Sequence, residues 1–311
     1  MKLPEAVVAY VAYKRSLGMR FATEARTLKS FNRTLGDIDM REIDADRVYA
    51  FLAGKGPITA FWHRKLSALR GFYRFAIARG YTTSSPLPLM VPKEPRTFVP
   101  YIYSREEMKR LLAATADRER CNLSSLTCRT LLLLLYGTGL RIGEAVGLNL
   151  ADVDLDSGIL CIRESKFYRT RLVPTGPDLT SVLVQYAVER NKWPPLNRDA
   201  AFLLTKRGQR LSRAGAEYAF KQLRERAQVR RDNSARYQPR LHDIRHTYTV
   251  TRLVSWYREG ADVQRLLPQL ATYLGHVHIA ATQHYLTMTP ELLRQASLRF
   301  ERYARGGDDH A

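Results

Sequence analysis

The C-terminal part of the chain contains six residues in distinctive sequence motifs whose side chains can bind a phosphate, transfer a proton or attack phosphorus. Arginine binds two phosphate oxygens at once, histidine donates or accepts a proton near neutral pH, and tyrosine can act as a nucleophile. In chain order, these residues are Arg141, Lys166, His242, Arg245, His276 and Tyr285. A tyrosine downstream of two arginines, a lysine and two histidines predicts a nucleophile that attacks a phosphodiester without a metal ion. DNA strand breakage and rejoining is therefore the leading interpretation.

The segment around Arg141, Gly137-Thr-Gly-Leu-Arg-Ile-Gly-Glu144, has glycines that favour a turn leading into a helix. Glu144 lies three residues after Arg141, so both side chains share one face of that helix. We expect Glu144 to orient the Arg141 guanidinium, because an arginine that binds a phosphate needs its planar group held fixed. The alternative is a surface ion pair at a helix start.

A second cluster is His242, Arg245 and His246, which occupy positions i, i+3 and i+4 and share one helix face. Imidazole and guanidinium groups together suit the binding of an oxyanion. A zinc site built on His242 and His246 would lack the intervening glutamate and a carboxylate ligand. We therefore predict no metal site, and the chemistry calls for no cofactor.

The last pair is His276 and Tyr285, nine positions apart in the sequence. On one continuous helix, nine steps of about 100° would place the two side chains on opposite sides. The chain must therefore turn between them if they converge, and Gly275 is compatible with such a turn. His278 and His284 are expected to be surface or packing residues.

The composition indicates which class of molecule the protein binds and in which cellular compartment it lies. Lys and Arg number 50 against 30 Asp and Glu, which gives a net charge of +20 and a pI near 10.1. So basic a chain is expected to bind a polyanion, and double-stranded DNA is the leading partner. No apolar run reaches the roughly 20 residues of a membrane-spanning helix. Three cysteines without Cys-x-x-Cys spacing predict neither disulfides nor zinc, and fit a reducing, cytoplasmic location.

The chain is predicted to be mainly α with a small antiparallel β-hairpin or sheet. Residues 1–90 have the spacing of short amphipathic helices, 91–103 form a proline-rich linker, 104–305 form an α+β domain, and 306–311 form a disordered tail. On the polar faces of the N-terminal helices, Lys65, Arg70 and Arg74 are candidates for contacts with DNA phosphates. The alternative for each is a solvated helix face.

Local patterns predict three elements in the second domain. Ser104 and Glu107 form a capping box ahead of a helix, and residues 131–136 are apolar nearly all round, which predicts a buried core helix. Residues 153–158 are predicted to form a turn. Two β-prone runs, around 159–163 and 169–173, predict a hairpin that carries Lys166 near its tip.

Together these segments resemble the tyrosine recombinase (phage integrase) family over about residues 104–300, with all motifs in family order. The motifs are Gly137 to Ala145, Lys166 in a hairpin ending Arg171-Leu-Val-Pro174, His242-Asp-Ile-Arg-His-Thr247, Leu274-Gly-His276 and Tyr285. The N-terminal bundle is similar to the family's core-binding domain in size and helical character. One departure is the stretch 252–273, which looks longer than usual and contains Pro268. The pattern looks closest to integrases of transposons and other mobile elements.

The resemblance implies a mechanism and an assembly. Tyr285 would be the nucleophile, and Lys166 the general acid. Arg141, His242, Arg245 and His276 would surround the scissile phosphate. A 3′-phosphotyrosine would preserve the energy of the phosphodiester, so that rejoining needs neither ATP nor a metal ion. Four protomers, with companion recombinases as possible members, would assemble on DNA through the C-terminal helix 291–303.

Three other functions remain open at this point. A type IB topoisomerase uses the same chemistry, but the two-domain size and the motifs favour a recombinase. A non-catalytic DNA-binding regulator on the same scaffold is disfavoured, because every expected catalytic residue is present. An RNA-binding protein would need aromatic stacking motifs that the sequence lacks.

Overall fold

The computed structural model of the chain describes residues 1–54, 58–93, 99–116, 123–163, 170–192, 200–231, 237–276, 278–287 and 290–304. The chain divides into two compact units, Met1–Phe98 and Val99–Ala311. The border falls inside the segment 91–103, where the sequence predicts a linker. Among the described residues the structure is mainly helical, as expected, and no helix is long and apolar enough to cross a membrane.

The first unit contains amphipathic helices packed around their apolar faces. Leu28 and Phe31 are buried three positions apart on one helix, and Phe72 and Ala76 four positions apart on another, as the 3.6-residue period requires. Asp44 accepts a hydrogen bond of 2.8 Å from the backbone nitrogen of Arg47 and so begins the third helix. The helices are α1 (Leu3–Ser16), α2 (Ala22–Leu35), α3 (Ala45–Ala53) and α4 (Ala60–Ala78).

The second unit begins with the predicted capping box. The Ser104 hydroxyl accepts from the backbone nitrogen of Glu107 at 3.1 Å, and the Glu107 carboxylate accepts from that of Ser104 at 2.9 Å. The predicted core helix is confirmed, with leucines 131, 132, 134 and 135 all buried. The helices of this part are α5 (Arg105–Ala113), α6 (Ser125–Thr138), α7 (Ile142–Gly147), α8 (Pro177–Arg190) and α9 (Arg213–Arg226).

An antiparallel sheet with strand order β1-β2-β3 lies between α7 and α8 along the chain. β2 (Ile159–Ile162) pairs with β3 (Arg171–Pro174), which confirms the predicted hairpin. The prediction of a turn over 153–158 was wrong at its start, because β1 (Val153–Asp154) pairs with β2 and the turn is confined to the residues after it. The tip of the hairpin, residues 164–169, lies outside the described residues, and so does Lys166.

The C-terminal part consists of helices that carry the remaining motifs. The segment 252–273 forms the second half of α10 and most of α11, and α11 continues through Pro268. The predicted C-terminal helix corresponds to α13, whose Leu292 is buried in a cluster with Val250, Leu253 and Tyr285. The tail 306–311 lies outside the described residues. The helices are α10 (Asp243–Arg258), α11 (Val263–Leu274), α12 (Ala280–Gln283) and α13 (Pro290–Ala304), with a 3-10 helix at His284–Thr287.

Candidate active site

Two helices of the second unit end at glycines whose carbonyl oxygens bind arginines. α6 ends at Gly139 and α11 at Gly275, each in the left-handed backbone region that favours glycine, with φ of 63° and 68°. The Gly139 oxygen accepts from Nη1 of Arg245, and the Gly275 oxygen accepts from Nη2 of Arg141, both at 2.8 Å. The glycines that precede Arg141 and His276 in sequence thus bring two arginines to the same place.

Contacts with the first turn of α7 hold Arg141 in place. Its backbone is extended, and Glu144, the third residue of the helix, accepts a hydrogen bond of 2.9 Å from the Arg141 backbone nitrogen. The other Glu144 oxygen accepts from Nη1 of Arg141 at 2.7 Å. The carboxylate thereby holds both the backbone and the guanidinium of Arg141.

Arg171 on β3 is a neighbour that the sequence analysis did not single out. Its Nη1 and Nη2 donate to the two Glu144 oxygens at 3.1 Å and 2.8 Å, and its Nε donates to the carbonyl oxygen of Tyr273 at 2.8 Å. Burial opposes the charge of Glu144, but Arg171 and Arg141 outweigh burial and lower the pKa of Glu144 to about 2. The sequence signal was its place in the segment Arg171-Leu-Val-Pro174, which ends the predicted hairpin and belongs to the motifs of the family resemblance.

Arg245 is the buried arginine of the site. Besides Gly139, it binds the carbonyl oxygen of Leu274 through Nη2 at 2.7 Å. Burial and the nearby charge of Arg141 lower the pKa of Arg245 to about 10, which still leaves it fully charged at neutral pH. Two helix ends therefore hold a fixed cation in the interior.

His242 and His276 stand beside these arginines. Burial, followed by the charge of Arg245, lowers the pKa of His242, and the same two causes lower the pKa of His276 to about 4. Both imidazoles are thus neutral at pH 7. Nδ1 of His276 forms a hydrogen bond of 2.7 Å with the hydroxyl of Thr282 on α12, which orients the ring. Neutral imidazoles can donate hydrogen bonds to an anion without adding charge.

Tyr285 lies against the histidines. As predicted, the chain turns between His276 and Tyr285, and the two rings are nearly parallel with centroids 6.3 Å apart. The ring of His246 lies 5.4 Å from that of Tyr285, so His246 also borders the site. Burial raises the pKa of the Tyr285 hydroxyl above its usual value and outweighs the charge of Arg245 and the contact with Thr249, which lower it. Tyr285 is 4% exposed.

The described part of the chain therefore brings five of the six predicted residues together: Arg141, His242, Arg245, His276 and Tyr285. Lys166 lies outside the described residues. His278 is exposed, and the side chain of His284 is not among those described. Within the described ranges, no group of three or more His, Cys, Asp or Glu side chains could hold a metal ion.

The candidate DNA contacts of the first unit differ from one another. Arg70 and Arg74 are exposed on α4. Nζ of Lys65, in contrast, donates to the carbonyl oxygen of Phe51 at 2.7 Å and lies over the Phe51 and Phe61 rings. The structure thus gives Lys65 an intramolecular role at the end of α3 in place of the expected exposed position, and burial lowers the pKa of Lys65.

The second unit is a mainly helical domain with a small sheet, and it contains a cluster of arginines, histidines and a tyrosine. Residues 103–291 match the model of the phage integrase family. A Sinorhizobium fredii protein, y4rB, whose name describes an integrase/recombinase, is 37% identical over 96% of both chains. The tyrosine recombinase XerD of Mycobacterium tuberculosis is 32% identical over 91% of this chain and 94% of its own.

The fold comparison agrees. A solved structure of the Tn1549 transposon integrase, in complex with a circular intermediate DNA, superposes with a TM-score of 0.71 at 16% identity. It covers 96% of this chain and 99% of that one. The chain belongs to the phage integrase family, the tyrosine recombinases, whose activity is site-specific DNA recombination.

Proposed function

We propose that this enzyme cleaves and rejoins DNA through a 3′-phosphotyrosine intermediate formed on Tyr285. The observation that carries the proposal is the position of Tyr285, whose ring lies parallel to that of His276 while the charges of Arg245 and Arg141 act on its hydroxyl. Among the described residues, this tyrosine is close to two arginines and two histidines that the motifs had already marked.

The reaction is a transfer of the phosphoryl group from one oxygen to another. The Tyr285 oxygen attacks phosphorus, a new phosphorus–oxygen bond forms, and the bond to the 5′-oxygen breaks. Charge develops on the non-bridging oxygens, and the guanidinium groups of Arg141 and Arg245 with the imidazole of His276 stabilise that charge. Because tyrosine ionises near pH 10 in water, the two arginines also favour loss of its proton, which a neutral imidazole of the site accepts.

The leaving 5′-oxygen needs a proton, and the family resemblance assigns that proton to Lys166. Rejoining is the reverse transfer, in which a 5′-hydroxyl attacks the phosphotyrosine and releases Tyr285. The phosphodiester energy is kept in the intermediate, so we propose that neither ATP nor a metal ion takes part. Tyr285 is 4% exposed in the unbound chain, so the proposal requires DNA binding to make its hydroxyl accessible to a phosphate.

Double-stranded DNA is the proposed partner. The net charge of +20 supports it, and so does the printed title of the similar Tn1549 integrase, which is a complex with DNA. Exposed Arg70 and Arg74 on α4 are proposed to contact phosphates, whereas Lys65 is already bound within its own unit. Bound in this way, the protein would be associated with the nucleoid of the cytoplasm.

We further propose a homotetramer on DNA, with companion recombinases as possible members. α13 buries Leu292 against its own unit, and it exposes Leu293 and Phe300, which are 51% and 70% accessible. Burying these two side chains against a neighbouring protomer would remove apolar surface from water. The exposed side of 291–303 is therefore the proposed contact.

The test is covalent trapping in the absence of divalent metal. Nicked duplexes that cover the DNA flanking the coding sequence are incubated with the protein in EDTA and separated on a denaturing gel. The proposal expects a protein–DNA adduct in EDTA and no dependence on added ATP. Cleavage that requires magnesium or manganese would place the reaction in a metal-dependent class and contradict the proposal.

A further inference from the structure

Arg171 is more deeply buried than the arginine with which it shares Glu144. The side chain of Arg171 is 9% exposed and that of Arg141 is 29% exposed. All three guanidinium nitrogens of Arg171 already donate to protein oxygens, two to Glu144 and one to the carbonyl of Tyr273. We propose that Arg171 is a positioning residue for strand cleavage, which acts on Arg141 through Glu144; this inference rests on the proposed function.

Hydrogen bonds from Arg171 and Arg141 fix the position of the Glu144 carboxylate. Arg171 binds both carboxylate oxygens with two nitrogens of one planar group, and this bidentate arrangement fixes the orientation of the carboxylate. The same oxygens accept from the backbone nitrogen and Nη1 of Arg141. Because Arg171 fixes the position of both Glu144 oxygens, it also fixes the orientation of the Arg141 guanidinium that binds them.

Charge gives Arg171 a second effect. A buried carboxylate with a single arginine partner would cancel most of the charge of that arginine, and Arg141 would then stabilise only weakly the charge that develops on the phosphate in the transition state. With Arg171 present, the group of two arginines and Glu144 has a net charge of +1. The charge of the interior Arg171 offsets that of Glu144, and the charge of Arg141 remains available to stabilise the transition state.

Arg171 also joins three segments that carry site residues. It belongs to β3 of the hairpin, it binds Glu144 of α7, and its Nε binds the carbonyl oxygen of Tyr273, near the end of α11. Gly275 lies next to this contact, because a Cβ there would be 2.8 Å from Nη1 of Arg171. One side chain therefore fixes the start of α7 relative to the end of α11, and with them Arg141 relative to His276.

The experiment separates cleavage from binding. The single-turnover rate of adduct formation and the affinity for the same duplex are measured for the wild type, Arg171→Gln, Arg171→Lys and the control Arg163→Gln. Arg163 lies at the end of β2 in the same hairpin and pairs with Asp152 instead of Glu144. Arg171→Gln is expected to cleave about 10- to 100-fold more slowly at saturating DNA, with affinity changed less than twofold relative to the control. Arg171→Lys keeps the positive charge but cannot bind the carboxylate in the bidentate manner. Its cleavage rate is expected to lie between those of Arg171→Gln and the wild type.

A purely structural role is tested by the double variant Arg171→Gln, Glu144→Gln. If Arg171 acts by offsetting the charge of Glu144, neutralising Glu144 as well should restore part of the rate, so that the double variant is faster than Arg171→Gln. A double variant as slow as or slower than the single one would contradict the proposal. Melting temperatures are recorded for all variants. If Arg171→Gln does not fold, Arg171→Lys provides the test, and a wild-type cleavage rate in folded Arg171→Lys would also contradict the proposal.

Failure of the proposed function has a different signature. If the wild type forms no adduct with any duplex that it binds, the phosphotyrosine mechanism fails. If the wild type forms the adduct and Arg171→Gln forms it at the same rate, only the role of Arg171 fails.

Discussion

The carbonyl oxygen of Gly275 accepts a hydrogen bond of 2.8 Å from Nη2 of Arg141, although 134 residues separate them in the sequence. Gly275 ends α11 and His276 follows it directly, so this bond sets the distance between a proposed phosphate-binding arginine and the histidine that lies against Tyr285. The left-handed backbone at Gly275 directs its carbonyl oxygen towards Arg141.

Gly275→Ala should therefore reduce both stability and cleavage. The φ of 68° disfavours any side chain, at a cost of about 1–2 kcal/mol, and the new methyl group would lie 2.8 Å from Arg171 and 3.3 Å from Arg141. Thermal unfolding and the rate of adduct formation measure the two effects. Gly147→Ala is the control, since a Cβ there meets nothing within 4 Å. Equal behaviour of the two variants would show that the contact of Gly275 with Arg141 has no consequence.

Acid should destabilise the protein through its buried histidines. The pKa of His276 falls from 6.5 to about 4 on folding, chiefly because of burial. Between these values the unfolded chain binds a proton that the folded chain does not, so the free energy of unfolding falls as pH drops from about 6.5 towards 4. His276→Gln should show a shallower decline, which denaturant titrations at several pH values would measure. His242 acts in the same direction, so the decline is reduced and not abolished. The exposed His278→Gln serves as control, and a decline as steep in His276→Gln as in this control would refute the assignment.

Lys65 and Arg74 should behave differently although both lie on α4. Lys65→Met removes the bond to the Phe51 carbonyl and should lower the free energy of unfolding by about 1 kcal/mol. Arg74→Gln should leave stability unchanged and weaken binding to duplex DNA, with the slope of log affinity against log salt smaller by about 0.9 if one phosphate contact is lost. Chemical denaturation and fluorescence anisotropy at several salt concentrations measure these quantities. Unchanged affinity in Arg74→Gln would assign Arg74 to a solvated face.

Lys166→Ala should slow cleavage of an ordinary substrate by about 10²–10⁴-fold, the usual contribution of a general acid. A substrate with sulfur in place of the bridging 5′-oxygen has a leaving group that needs no proton, and it should restore cleavage by Lys166→Ala. The same substrate should not rescue Arg141→Ala or Arg245→Ala, whose proposed role is at the non-bridging oxygens. Weaker binding without rescue by sulfur would mean that Lys166 holds a phosphate, and no defect at all would mean that it is solvated.

Local features of this chain could be predicted from its sequence, and distant contacts could not. The capping box of Ser104 and Glu107 needs only four adjacent residues, and the pairing of β2 with β3 follows from two β-prone runs close in sequence. The bond from Arg171 to Tyr273 spans 102 residues and depends on how α11 packs near the sheet.

Lys65 also makes a contact that could not be predicted from the sequence, although its partner is closer along the chain. Its position on the polar side of an amphipathic helix indicated a solvent-exposed cation. The end of α3, which only the packed structure brings near, supplies the carbonyl oxygen that binds it. Sequence motifs therefore predicted candidate site residues, five of which the fold brings together, whereas contacts such as those of Arg171 and Lys65 could not be predicted without the fold.

The most direct measurement of the central claim is adduct formation by Tyr285→Phe. A nicked duplex that traps the wild type covalently is incubated with both proteins and resolved on a denaturing gel, and binding is followed in parallel. Phenylalanine keeps the ring that packs against His276 and His246 and lacks the attacking oxygen. The account predicts wild-type DNA binding and no covalent adduct. An adduct formed by Tyr285→Phe would show that another residue is the nucleophile and would contradict it.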